Sequence, residues 1–371
     1  MLEEITREAR RGQITPAHVF LKGTAEASFA TAASLIARVP TDALRLRAAY
    51  SIKTNPRREL LALARRHGFC AEVISAEELD WALGNGYGHE AIIYNGPRPL
   101  SKPRAPVHAA FADSILAFQA YAQARSAAVI GVRLRPQGIS SRFGVPPVEF
   151  QDLLRCAAGL PADLALGVSF HIRPEDFGQR SWQDIARSVL HLATQLQHGT
   201  NCRITVLDFG GGWTPDEFQN GLFHDLPQVL AEIGPALPHV REVFIEPGQA
   251  VATPCVALLS RVLEIRHCKS GTVDAILDGS IHDAPHLNAY PHRIFARADG
   301  VVRPLAGGQD RLLGCACLEY DVLAPNIALP KTLKTGDFVA IADCGSYDSS
   351  MSFLFARGGA SQAADTSVSQ N

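Results

Sequence analysis

Residues 204–213 read ITVLDFGGGW, an apolar run that ends in three consecutive glycines. The run has the length and the Ile, Val and Leu content of a strand buried on both faces of a sheet. Glycines directly after such a strand allow a sharp turn or a close approach of the backbone to a ligand. The same pattern recurs along the chain, and we predict strands at 48–53, 70–74, 91–94, 107–111, 128–134, 166–171, 204–208 and 242–246.

The segments between these strands have the composition of helices. We predict helices at 56–67, 76–86, 113–125, 146–158, 179–197 and 214–234. Strands that alternate with helices indicate an α/β fold with a parallel sheet covered on both faces. Eight such strands are the number that closes a TIM-like (β/α)8 barrel. An open, doubly wound sheet is the alternative.

Beyond residue 255 the helical stretches end, and short apolar segments such as DFVAIADCG follow one another between Gly and Pro residues. This pattern predicts a C-terminal antiparallel β domain. The segment ITPAHVFLKG near the N-terminus predicts a strand that pairs with it. We therefore expect a barrel over 23–255, a β domain formed by 1–22 with 256–357, and a disordered polar tail over 358–371.

Composition and charge narrow the class of protein. Of the 371 residues 47% are hydrophobic and 19% are charged, which is typical of a globular protein. The 35 basic and 37 acidic residues give a net charge of −2, so nothing indicates nucleic acid as the main partner. The sequence lacks the long apolar run of a membrane helix and the apolar stretch of a signal peptide. The eight cysteines are scattered, without a C-x-x-C pair, and we expect a reducing, cytoplasmic location.

Polar side chains stand at the ends of the predicted strands, where barrels of this type carry their active sites. They are Lys53, Ser75, Asn95, Arg133, His171 and Glu246. A lysine at the mouth of an apolar barrel is desolvated, which favours the neutral, nucleophilic amine. Glycines before a helix can bind an anion through their N–H groups. Each feature also has a plain structural interpretation: a lysine in solvent, a tight turn, and a helix cap at Glu246.

Taken in order, the motifs resemble the fold-type III pyridoxal-phosphate-dependent decarboxylases, the family of ornithine, diaminopimelate and carboxynorspermidine decarboxylases. The resemblance extends from about residue 15 to 357. It rests on YSIKTN, AEVISAEELDWAL, YNGP, SRFGV, SFHI, LDFGGGW, IEPGQA, CLEYDV and GSY. The resemblance implies an alanine-racemase-like barrel with a second β domain, and pyridoxal 5'-phosphate as the cofactor.

The family's cofactor contacts fall on matching positions of this sequence. Lys53 matches the lysine that binds the cofactor covalently, and His171 matches the histidine that stacks on its ring. Glu246 matches the carboxylate at the pyridine nitrogen, which keeps the ring a strong electron sink and favours decarboxylation over racemisation. The phosphate-binding positions correspond to Gly210, Gly211, Gly212, Gly248 and Tyr347.

A second set of positions implies a site shared between subunits. Cys317 matches a cysteine that the partner subunit contributes and that returns a proton to the substrate carbon, so a homodimer is implied. Leu318 and Asp321 belong to the same motif, and we expect both to contact substrate. We expect His282 and His286 to line the substrate entrance. Pro285 between them interrupts helical spacing, so we predict no metal site there, even with His292 nearby.

Departures from the family pattern bear on the substrate. The S-K-F-G motif has Arg142 in place of lysine, and the phosphate-contacting arginine of E-P-G-R is Gln249. Leu318 replaces an acidic residue that binds the substrate's distal amine in ornithine and diaminopimelate enzymes. We therefore predict a decarboxylase of a diamino acid or related biosynthetic amino acid, of the carboxynorspermidine type or from a siderophore or other secondary pathway. An amino acid racemase or epimerase, and a non-catalytic antizyme-like relative, are the alternatives.

Overall fold

The computed structural model describes residues 1–11, 14–41, 44–97, 103–176, 178–287, 289–355 and 364–365. The chain forms two compact units, one made of residues 29–250 and the other of 1–28 together with 251–371. Of the predicted tail over 358–371, all but Ala364–Asp365 lies outside the described residues. No helix within the described ranges is long and apolar enough to cross a membrane.

The strands, in chain order, are β1 Ala17–Phe20, β2 Arg45–Ser51, β3 Cys70–Val73, β4 Ile92–Tyr94, β5 Ala109–Ala112, β6 Val129–Arg133, β7 Ala165–Ser169, β8 Arg203–Gly211, β9 Glu242–Glu246, β10 Val256–His267, β11 Val273–Leu277, β12 Ile294–Ala298, β13 Val301–Pro304, β14 Gly307–Leu313, β15 Val322–Ile327, β16 Phe338–Ile341 and β17 Ala364–Asp365. The α-helices are α1 Leu2–Arg10, α2 Lys22–Ala37, α3 Arg58–Arg66, α4 Ala76–Gly84, α5 Ile115–Ala124, α6 Phe150–Ala158, α7 Trp182–His198, α8 Phe223–Ala236, α9 Gly248–Ala252 and α10 Asp348–Met351.

Strands β2 to β9 form a closed parallel barrel in which β9 pairs with β2. This confirms the predicted (β/α)8 architecture and excludes the open sheet. Inside the barrel, Phe111 lies over two glycines of neighbouring strands. A Cβ added at Gly131 would come within 2.1 Å of the Phe111 ring, and one at Gly167 within 2.9 Å. One large side chain opposite two glycines thus fills a layer of the barrel at close packing.

The helices around the barrel begin at conventional caps. Ser181 accepts a hydrogen bond from the Asp184 amide, and Asp184 bonds back to the Ser181 amide, which forms a capping box before α7. Ser114 caps α5 in the same way through the Ala117 amide. Ser75 caps α4 by accepting from the Glu78 amide, so this strand-end residue has a structural role.

The second unit contains a mainly antiparallel sheet with the order β13-β12-β16-β10-β11-β14-β15. Strand β1 pairs antiparallel with β10, Ala17 opposite Leu259, as predicted for the N-terminal segment. The short strand β17 lies parallel to β1. The sequence interpretation missed four of the described helices: the longer α1 and α2, and the short α9 and α10.

Candidate active site

The carboxyl ends of the barrel strands surround a cavity of about 570 Å³. Its titratable lining comes from nearly every strand of the barrel. It consists of Lys53, Glu72, Asp113, Arg133, Arg142, His171, Arg173, Asp176, Asp208 and Glu246. Three of the strand-end residues predicted from the sequence, Lys53, His171 and Glu246, therefore share one cavity. Asn95 and Arg133 line it too.

Lys53 is fixed by a buried carboxylate on the next strand. It lies in the turn after β2, and its Nζ is 2.5 Å from Glu72 Oε2. Burial raises the pKa of Glu72, and the Lys53 charge opposes that increase. The pair holds the amine in one place while a quarter of the lysine side chain, 26%, stays exposed to the cavity. The sequence interpretation included Glu72 in a motif but gave it no role.

Glu246, the last residue of β9, accepts hydrogen bonds from two directions. Asn95 Nδ2 lies 2.5 Å from its Oε1, and His171 Nδ1 lies 3.1 Å from its Oε2. Burial raises the pKa of Glu246, but the hydrogen bond and charge of His171 outweigh burial and bring it to about 2. This carboxylate is ionised at neutral pH although it is fully buried.

A second buried carboxyl lies beside Glu246. Asp208 of β8 is 3.2 Å from Asn95 Nδ2 and accepts the Gly210 amide at 2.9 Å. Burial and the neighbouring Glu246 charge raise the pKa of Asp208 well above its usual range. Two adjacent carboxyls in a low-dielectric site cannot both ionise cheaply, and Asp208 is the one whose neutral form is favoured.

The glycine turn after β8 is shaped by close packing of the chain on itself. Gly210 has φ +65°, and a Cβ there would meet the Phe170 carbonyl at 2.3 Å. A Cβ at Gly211 would meet the Glu246 carbonyl at 2.1 Å, and the Gly211 amide nitrogen lies 3.1 Å from His171 Nδ1. These two glycines therefore bring the strand ends, and with them His171 and Glu246, close together. Phosphate binding by Gly210, Gly211 and Gly212 stays a prediction.

Gly248 begins α9 two residues after Glu246. A Cβ at this position would lie 2.5 Å from Thr54 Oγ1 and 2.8 Å from the Ser51 Cβ. The residue must be small because the turn that carries Lys53 packs against it. Gly248 thus supports the position of Lys53, and its predicted contact with the cofactor stays a prediction.

In the other unit, Cys317 lies in the loop between β14 and β15 and is exposed. Asp321 is buried, and its two carboxylate oxygens accept the amides of Ile281 at 2.8 Å and Ala316 at 2.7 Å. Both oxygens therefore brace the loop that carries Cys317 and the half-buried Leu318. A contact of Asp321 or Leu318 with substrate stays a prediction.

His282, His286 and Tyr347 also belong to this unit. His286 stacks on Tyr290 with ring centroids 5.5 Å apart, and its ring lies at the same distance from that of Tyr347. His282 is 3% exposed and packs against Phe353 with ring centroids 4.6 Å apart. The predicted roles of the two histidines at the substrate entrance, and of Tyr347 at the phosphate, stay predictions.

Among the described residues, His292, Cys344 and Asp348 place potential ligand atoms within 4.8 Å of one another. Each of these atoms has a protein partner. His292 contacts Asp348 Oδ2 at 3.1 Å and the Tyr290 carbonyl at 2.8 Å, while the Cys344 thiol donates to the Ile341 carbonyl. We interpret the group as a buried hydrogen-bond network that joins the segments around residues 290 and 347.

Comparison with known proteins gives consistent matches. Residues 29–253 match the family model described as pyridoxal-dependent decarboxylase, pyridoxal binding domain. The lysine/ornithine decarboxylase of Selenomonas ruminantium is 27% identical over 326 residues, which cover 81% of this chain and 78% of that protein. The diaminopimelate decarboxylase of Zymomonas mobilis is 22% identical, with coverage of 83% and 77%. Among solved structures, diaminopimelate decarboxylase from M. jannaschii in complex with L-lysine has a TM-score of 0.78 at 18% identity, with coverage of 95% and 87%.

Proposed function

This chain belongs to the pyridoxal-dependent decarboxylases, which use pyridoxal phosphate to remove the carboxyl group of amino acids, and on that premise we propose its substrate class. We propose that the substrate is a diamino acid or related biosynthetic amino acid other than plain ornithine or diaminopimelate. A substrate of the carboxynorspermidine type, or one from a siderophore or other secondary pathway, agrees best with the charges of the site.

The donor set of the barrel cavity fits the cofactor. A lysine amine, a carboxylate that is ionised at neutral pH and an imidazole converge in one enclosed space. Asn95 Oδ1 is buried there without a hydrogen-bond partner among the described residues, as expected of a site built to receive a polar group. This convergence of Lys53, His171 and Glu246 is the observation that carries the proposal.

When bound, the cofactor supplies a ring that withdraws electrons from the substrate's α-carbon. Each side chain has a defined task toward that ring. Lys53 presents the amine, oriented by Glu72 at 2.5 Å. Glu246 presents a full negative charge, which suits a protonated ring nitrogen. His171 is held between Glu246 and the Gly211 amide, so its ring has one orientation in the cavity.

The substrate proposal rests on the charges that surround this machinery. Arg142 lines the cavity with its guanidinium 4.1 Å from the Phe143 ring centroid, and Arg133 lies 4.9 Å from the same ring. Such a wall favours a distal carboxylate or another hydrogen-bond acceptor over a lone ammonium group. The apolar Leu318, in place of the family's acidic residue, is an independent reason to disfavour a simple diamine end.

We further propose a homodimer in which Cys317 of one subunit serves the barrel of the other, in a reducing, cytoplasmic setting. The support is the exposed position of Cys317 on a loop braced by Asp321. Mixing Lys53→Ala and Cys317→Ala subunits tests this arrangement. Random exchange would restore about a quarter of the wild-type activity, since half the dimers then contain one intact site of two. No recovery after demonstrated subunit exchange would contradict shared sites.

A substrate screen in deuterated water tests the proposed function. Purified protein with added cofactor would be incubated with L- and D-diamino acids, diaminopimelate, carboxynorspermidine and citrate-linked diamino acids, and the products weighed by mass spectrometry. A product that lacks one carboxyl group and carries one deuterium is the expected result, absent in Lys53→Ala. Deuterium exchange with the carboxyl group retained would show a racemase instead, and turnover of ornithine alone would contradict the substrate class.

A further inference from the structure

The glycine turn cannot supply all the anion-binding groups that a phosphate needs. The Gly210 amide donates to Asp208 Oδ1, so at least one of the three glycine N–H groups is engaged within the chain. At the position of the family's phosphate-binding arginine stands Gln249, which is buried and uncharged. A phosphate group carries between one and two negative charges near neutral pH. A cation close to the glycine turn would therefore strengthen the binding of a phosphate there.

Arg173 lies where that cation is required. It follows β7, and β7 pairs directly with β8, the strand that leads into the glycines. Gly212 has φ +99°, and a Cβ there would lie 3.4 Å from both the Cα and the Cγ of Arg173. The absence of a side chain at Gly212 thus lets the arginine stem lie against the turn. Arg173 also lines the cavity that contains Lys53.

The other arginines of the cavity are less suitably placed. Arg133 and Arg142 belong to β6 and the segment after it, and β7 separates β6 from β8. Arg133 donates to the His171 carbonyl at 2.6 Å, and its guanidinium lies 3.8 Å from Asp113 Oδ1. Arg142 lies over the Phe143 ring. These contacts engage Arg133 with the His171 backbone and with Asp113, and they hold Arg142 against an aromatic ring.

Two ion pairs of Arg173 are exposed and can be exchanged for a stronger partner at low cost. Its side chain is 54% exposed, and it pairs with Glu175 Oε1 at 3.1 Å and Asp176 Oδ2 at 3.1 Å. Exposed ion pairs of this kind contribute little because water and salt screen them. A phosphate offers the fork of the guanidinium two parallel charge-assisted hydrogen bonds, which are stronger. The two carboxylates keep the side chain near the cavity until such a partner arrives.

We propose that Arg173 binds the phosphate group of pyridoxal phosphate and replaces the arginine that this family carries at position 249. The charge is thereby relocated from helix α9, which follows β9, to the loop after β7, beside the same glycine turn. The proposal rests on the cofactor of the family and adds a residue that the sequence motifs do not identify.

Binding of two cofactor forms tests the assignment, without reference to turnover. Affinities of the purified protein for pyridoxal phosphate and for pyridoxal, which lacks the phosphate, would be measured by absorbance titration. We expect Arg173→Gln to weaken pyridoxal phosphate binding roughly 10- to 100-fold, the loss expected for charge-assisted hydrogen bonds, and to leave pyridoxal binding within about threefold. Arg173→Lys should lose less, because it keeps the charge without the fork.

Asp176→Asn is the matched control, since it removes a partner of Arg173 and keeps the guanidinium. We expect it to bind pyridoxal phosphate as tightly as the wild type or more tightly. Equal weakening of both cofactor forms in Arg173→Gln would assign Arg173 a purely structural role and overturn the proposal. Unchanged affinity for both forms would place the phosphate elsewhere and overturn it too. Failure of the wild type to bind either form would instead contradict the cofactor assignment.

Discussion

We expect Asp208 and Glu246 to hold one proton between them, and substituting each in turn tests where that proton lies. Burial and the Glu246 charge raise the pKa of Asp208 well above its usual range, whereas the pKa of Glu246 falls to about 2 beside His171. At pH 7 we expect a neutral Asp208 and an ionised Glu246. Asp208→Asn keeps a neutral side chain of the same shape, and Glu246→Gln removes the charge, so the two variants form a matched pair.

The expected losses follow from the contacts that each variant changes. In Asp208→Asn the amide oxygen still accepts a hydrogen bond from the Gly210 amide. The new NH₂ group replaces Asp208 Oδ2, which lies 3.2 Å from Asn95 Nδ2, so two donors face each other and that hydrogen bond is lost. Losing one such hydrogen bond costs about 1 kcal/mol, or roughly fivefold in cofactor affinity or activity. Glu246→Gln removes a charged acceptor from His171 and from the cofactor ring, at about 1.5–3 kcal/mol for each hydrogen bond. We expect a loss of about 10- to 150-fold or more.

The assay combines cofactor titration with carbon dioxide release at pH 7, using the substrate identified by the screen. Thermal unfolding of both variants serves as the control for folding. The reasoning is refuted if Asp208→Asn loses as much as Glu246→Gln while both remain folded, because Asp208 would then carry the charge that the site uses.

Three further substitutions test other parts of the structure. Burial and the nearby Glu72 raise the pKa of Glu78 to about 7, so its neutral form stabilises the fold below about pH 4.5, and that contribution is lost as the pH rises through 7. Glu78→Gln should therefore become more stable than the wild type between pH 5 and 8, by up to about 3 kcal/mol in chemical denaturation, and a pH-independent difference would contradict this. Asp321→Ala leaves the Ile281 and Ala316 amides without their acceptor and should cost about 2–4 kcal/mol of stability, whereas an unchanged Tm would show that water replaces it. Cys317→Ala should slow proton return to the substrate carbon and raise abortive transamination of the cofactor, and an unchanged product ratio would refute its role as the acid.

The barrel was predictable because its strands have the local signature of a doubly covered sheet. Near-continuous apolar runs separated by amphipathic helices leave few other folds, and the strand count selected the closed form. The missed helix α2 reads KGTAEASFATAASLIA, in which small residues occur on all sides. Its buried positions include Ala25, Phe29 and Ala32. Alanine differs too little in hydrophobicity from the other small residues of the helix to mark an apolar face. Helix α1 does carry a signal, with Glu3 and Glu4 in its first turn and Arg7 and Arg10 in its last.

The site was predictable at the strand ends and unpredictable inside the strands. Lys53, Asn95, His171 and Glu246 follow or end strands, so barrel closure alone brings them together. Ser75 occupies a comparable position in the sequence but caps α4 instead, because the chain turns into a helix immediately after it. Glu72 lies within β3, and in a sequence such a residue cannot be told from one that faces a solvent-exposed side of the strand. Its role follows only from the Lys53 contact at 2.5 Å.

Asn95 shows how the site keeps the negative charge of Glu246 available to the cofactor. Its amide lies 2.5 Å from Glu246 and 3.2 Å from Asp208, so one neutral donor holds both carboxyls in place. A lysine or arginine at this position would stabilise both carboxyls in their ionised forms and would pair with the Glu246 charge itself. The cationic ring nitrogen of the cofactor would then compete with a permanent cation of the protein. A neutral amide orients Glu246 without neutralising it, and the raised pKa of Asp208 disfavours a second negative charge beside Glu246, so the cofactor ring can balance the Glu246 charge on binding.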